Sequence, residues 1–154
     1  MKSIRYAAAV CAALSFTLPA AAQVVVSDPW IRGTVPNQMA TGAFMQLKSA
    51  TDAKLIDVRS PAAGVVEIHE MKMENNVMRM RAVQSVALPA GRTVELKPGG
   101  YHVMLMDLKQ QMKEGELIPL TLVVESVGKR ETIEVKAAVR AATASGDMKG
   151  QHRN

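Results

Sequence analysis

A single cysteine, Cys11, occurs among the 154 residues. It lies in an N-terminal leader, so the rest of the chain has no disulfide, thiolate nucleophile, CxxC redox pair or c-type haem attachment site. Aromatic residues make up only 3% of the chain. No block of basic residues is interleaved with aromatics, which argues against nucleic-acid binding. No acidic loop offers calcium or magnesium the several oxygens they need. No nucleophile is accompanied by an oxyanion arrangement, so the sequence gives an enzyme reading no support. No apolar run is long enough to span a bilayer comfortably.

What is present begins with the leader. Lys2 and Arg5 precede the apolar run AAAVCAALSFTL, and Ala20 and Ala22 form an A-x-A pattern. These are the marks of a secretory signal peptide over residues 1–22, cleaved after Ala22. Cys11 sits in the middle of the run and not at its end, which speaks against lipid attachment. The signal is bacterial in character, and the expected destination is the periplasm without stable membrane insertion. Removing 22 of the 154 residues leaves 132, enough for one domain with a real core. Loss of Lys2 and Arg5 leaves 17 bases against 14 acids, so the formal charge falls from +5 to +3.

Segments 30–32, 42–47, 55–58, 65–73, 77–83, 93–96, 101–108, 117–125 and 132–139 have strand character. Turn material separates them, including Glu74-Asn75-Asn76, Pro98-Gly99-Gly100 and Val127-Gly128. Short strands at this spacing predict an all-β sandwich or barrel, its last two strands forming a hairpin. Residues 109–113 are expected to make one short helical turn. The β domain is expected over 23–140. The polar segment 141–154 reads as a flexible tail. Trp30 and Tyr101 are expected to pack in the core. Glu67 and Glu70, flanking His69, are read as solvated charges.

Methionine is the abundant oddity. Of 11 methionines, six lie between Met71 and Met106, close to two of the three histidines, His69 and His102. Two H-x-M tripeptides occur, His69-Glu70-Met71 and His102-Val103-Met104. Positions i and i+2 of a strand share a face, so each tripeptide is a two-toothed nitrogen/sulfur grip. Met78 and Met80 also share a face, and a turn at 74–76 would bring one of them near His69 and Met71. Thioether sulfur is soft and uncharged and favours Cu(I) over hard ions. Zinc sites use Cys, His and carboxylates, and a blue-copper centre needs a Cys ligand.

The spacing His69, Met80, His102, Met104 matches the motif of the PCu(A)C periplasmic copper chaperones at each of its ligand positions. Asp28-Pro29-Trp30-Ile31-Arg32, Gly42-Ala43-Phe44-Met45, Leu88-Pro89-Ala90-Gly91 and the run Leu96–Leu105, LKPGGYHVML, resemble further landmarks of that family. The resemblance covers roughly residues 28–139. It implies a cupredoxin-like Greek-key β-sandwich and one Cu(I) held by His69, Met80, His102 and Met104 near the surface. It also implies delivery to the CuA-bearing subunit of cytochrome c oxidase, directly or through a thioredoxin-like copper chaperone. Copper buffering or resistance, and a metal-free protein-binding module, are the competing readings. Met71 and Met78 are as readily rim or core residues as ligands, and Met73 and Met106 are read as packing. Some relatives carry His/Met extensions. Here the tail has only Met148 and His152, so it is read as inert, with an auxiliary Cu(II) site as the lesser reading.

Overall fold

Apolar residues recur at every second position and give most strands one buried face. In LIPLTLVVES, Ile118, Leu120, Leu122 and Val124 are buried; in YHVMLMDL, Val103 and Leu105 are. The computed structural model describes residues 23–142. It contains ten strands and, among the described residues, no helix: β1 Val24–Arg32, β2 Ala40–Ser49, β3 Ala53–Arg59, β4 Ala63–Glu74, β5 Val77–Ala82, β6 Val86–Leu88, β7 Thr93–Leu96, β8 Tyr101–Leu108, β9 Leu117–Ser126 and β10 Lys129–Arg140. The signal-peptide segment, Met148 and His152 lie outside the described residues.

Hydrogen bonding runs in the order β5-β4-β8-β2-β1-β10-β9-β3-β6, with β7 added to β2 beyond the end of β8. Every pairing is antiparallel except β1 with β10. Strands remote in sequence lie side by side, β8 between β4 and β2 and β9 between β10 and β3. The domain is a cupredoxin-like Greek-key β-sandwich. β1 joins its two halves. Its register with β2 shifts between Ser27 and Trp30, where Pro29 has no N–H to give the ladder and Asp28 takes a φ of 49°. Beyond that bulge, Trp30–Arg32 also pairs with Ala138–Arg140 of β10.

The core draws Ile31, Leu47, Leu55, Leu88, Leu96, Val103, Leu105, Leu120 and Leu122 from both halves. Trp30 is buried as expected, but outside this cluster. Its ring stacks on Phe44 at 4.4 Å, on the opposite face of β1 and β2, beneath the Arg140 guanidinium. Tyr101 is half-buried against the core edge. Three other expectations also change. β1 begins six residues earlier than its apolar pattern suggests, because residues 24–27 pair with Gln46–Ser49. Val86–Leu88, too short to show a period, is a strand because β3 supplies its partners. Residues 109–113 form no helical turn. Met112 is instead buried in the core, its N–H donating to Thr34 Oγ1 and its carbonyl accepting from Thr34 N–H, both at 2.9 Å. That exchange satisfies the loop's backbone without a helix.

Met112→Ala is therefore expected to lower unfolding stability by about 2–5 kcal/mol in urea denaturation. A loss below about 1 kcal/mol would show that Met112 does not anchor this loop.

Candidate metal centre

Directly opposed residues in an antiparallel pair share a face, and the register builds the site from three adjacent strands. His69 of β4 stands opposite His102 of β8. On the other edge of β4, Met71 stands opposite Met80 of β5. Met104 of β8 stands opposite Glu67 of β4 and Gly42 of β2. His69, Met80, His102 and Met104 thus lie on one face of the β5-β4-β8-β2 sheet, the face turned away from Val103 and Leu105. The hairpin that delivers Met80 turns on Asn75 and Asn76, whose φ of 51° and 62° fit a two-residue type I′ loop.

A cleft of about 430 Å³ opens on this face. Met71, Met80, His102 and Met104 line it together with Phe44 and Arg32. Three of the four sequence-expected ligands therefore meet there. His69 lies just behind, with its ring 5.9 Å from that of His102 between centroids. At this spacing one nitrogen of each ring can reach a common ion at about 2 Å. His69 and His102 are 9% and 5% exposed, whereas Met80 is 49% exposed.

Hydrogen bonds engage one nitrogen of each histidine and leave the other without a partner. The carbonyl of Gly100 can only accept, so His102 donates Nδ1–H to it at 3.0 Å and leaves the Nε2 lone pair open. The same carbonyl accepts the N–H of Met71 at 3.0 Å. Its position depends on the turn Lys97-Pro98-Gly99-Gly100, where Gly99 has a φ of 83° and Gly100 N–H donates to Lys97 O at 3.1 Å. The Glu67 carboxylate accepts from His69 Nε2–H at 2.7 Å. His69 Nδ1 is buried and has no hydrogen-bond partner. A buried ring nitrogen without a partner is costly in an apoprotein and suits a metal ligand. Glu67 is thus a positioning residue for His69 as well as the solvated charge that sequence suggests. Glu70 is engaged too, by the Arg81 guanidinium at 3.1 Å.

Arg32, Gln38 and Thr41 form the polar part of the cleft, and Phe44 its apolar wall. The Phe44 ring lies 6.4 Å from that of His102 and folds back over Gly42, where a Cβ would meet Phe44 Cζ at 2.7 Å. Gly42 therefore lets the ring lie down beside Met104. Burial pushes the His102 pKa below the ordinary 6.5; the Gly100 carbonyl acts the other way, and His69 and Arg32 add to the lowering. The described residues contain no group of three or more His, Cys, Asp or Glu able to hold a metal. Met106 is half-buried and Met73 is exposed, so neither belongs to the core.

The chain is similar to several known proteins. The family model described as "Putative lipoprotein LpqE-like" matches residues 24–139. "Putative lipoprotein Lxx21020" of Leifsonia xyli subsp. xyli is 32% identical over 114 residues, 68% of this chain and 69% of that protein. The copper-bound PCuAC domain from PmoF2 superposes with a TM-score of 0.63 at 25% identity, covering 79% of this chain and 96% of that one. The solution structure of CuI-DR1885 from Deinococcus radiodurans superposes at 0.58 with 29% identity, covering 88% and 87%.

His102 is expected to titrate, in NMR of the metal-free chain, with a midpoint below 6.5. Because its folded pKa is lowered, its contribution to stability is complete above 6.5 and is lost as pH falls towards the folded value. A midpoint at or above 6.5 would contradict the buried, neutral imidazole.

Proposed function

The chain belongs to the LpqE-like family of PCuAC domains, and we propose that it is an exported Cu(I) chaperone of the periplasm. In this reading His69, Met80, His102 and Met104 hold one Cu(I) as cargo. The observation that carries it is the pairing of two buried histidines, each with one ring nitrogen left without a hydrogen-bond partner, behind and beside methionines that line an open cleft. The copper-bound PmoF2 domain and CuI-DR1885 support copper as the metal. Family and relatives described as lipoproteins support export.

Function follows from an asymmetry of the donors. The imidazoles are buried and held by hydrogen bonds, while Met80 faces solvent. Thioethers need no deprotonation, so an incoming soft ligand displaces Met80 without a proton change, and the histidines keep the ion until the acceptor completes its own set. No covalent chemistry is involved. Delivery goes to the CuA centre of cytochrome c oxidase, directly or through a thioredoxin-like chaperone.

A Cu(I) titration of the 23–154 chain against a competing chelator tests the site. Tight one-to-one binding is expected, weakened more than about 100-fold when His102 and Met104 are both changed to alanine. Unchanged binding in the variant would remove these residues from the site. Delivery is tested by mixing the loaded chain with an apo CuA domain: appearance of the CuA absorption is expected, and retention of copper by the chain would favour buffering instead.

A further inference from the structure

Between the turn and the histidines, the β4–β5 hairpin carries methionines that the proposed site leaves unused. Met73 stands opposite Met78, and Met71 opposite Met80, in successive rungs on the same face. The next position along β4 is His69, paired with His102 on its other side. Successive same-face positions are about 7 Å apart along a strand, and directly opposed Cβ atoms about 5 Å apart. Two unbranched thioethers at that separation can close on one ion.

Along β4 exposure falls from Met73 at 59%, through half-buried Met71, to buried His69, while Met78 and Met80 on β5 stay open at 48% and 49%. The two methionine rungs carry no charged side chain on that face, so hard cations find nothing to bind. The charges lie on the opposite face, where Arg81 bridges Glu70 and Glu74 across the hairpin at 3.1 and 3.7 Å. Those pairs and the Asn75-Asn76 turn hold the rungs in register. Large thioethers projecting into water gain nothing from packing, and core filling does not explain a 2 × 2 block of them.

We propose that Met73 and Met78, with Met71, form a second, weaker soft-metal site at the tip of the hairpin. It takes up Cu(I) from solution or a donor and passes it inward to Met80 and the histidines. This rests on the copper reading of the inner site but concerns different residues, and the two separate by experiment.

The test is NMR of the 23–154 chain, which carries every described strand, labelled at the methionine methyls and at the histidine ring nitrogens and titrated with Ag(I), a redox-inert stand-in for Cu(I). The His102 and Met104 signals are expected to shift over the first equivalent and those of Met73 and Met78 over the second. In a Met73→Leu/Met78→Leu variant of unchanged fold, uptake is expected to fall from about two equivalents to about one. Met73 and Met78 signals that stay fixed through two equivalents, or a second equivalent retained in the variant, would overturn the hairpin site. Shifts at Met73 and Met78 with His102 and Met104 unmoved would leave the hairpin site standing and remove the inner one.

Discussion

The pairing of β4 with β8 places His69 opposite His102, and the rest of the site depends on that register. β8 is fixed from its core side, where Val103 and Leu105 are fully buried, and from β2, whose Gly42 lies across from Met104. β4 is fixed by Ile68 in the core. Side chains alternate with a period of two, so a slip of one residue would turn the histidines inward and expose the core residues. The cost of exposing Val103 and Leu105 is thus the same restraint that keeps two imidazoles side by side. The hairpin then follows, because once β4 is placed, the two-residue Asn75-Asn76 turn determines which methionine meets Met71.

A second layer of contacts turns this face into a donor set. Gly100 carbonyl and Glu67 carboxylate each bind one ring nitrogen and so orient the ring with its other nitrogen unengaged. Phe44, lying over Gly42 and stacked on Trp30, supplies an apolar wall without blocking the cleft. Buried nitrogen donors, a half-buried Met104 and an exposed Met80 make a site rigid on one side and open on the other. Such a division suits a protein that must both hold an ion and give it up.

Much of this was legible in the chain itself. The two H-x-M tripeptides show their face by parity alone. The Glu74-Asn75-Asn76 turn predicts the hairpin that sets Met80 beside Met71. That β8 would lie next to β4 is a matter of Greek-key topology, and its evidence is the family resemblance and not any local pattern. The role of Glu67 was hidden because an acid two residues from a histidine shares its face in any strand, and only the side-chain rotamers show whether the two meet. Phe44 and Gly42 gave no signal because their importance arises across β2 and β8, not along either. The 109–113 loop misled for a related reason: its backbone partner, Thr34, lies 78 residues from Met112.

The central claim is that a mixed nitrogen–sulfur set on this face holds Cu(I). X-ray absorption at the copper edge of the Cu(I)-loaded 23–154 chain tests it most directly. Two imidazole nitrogens and two thioether sulfurs around one copper would agree with the account. A shell of oxygen and nitrogen with no sulfur would contradict it.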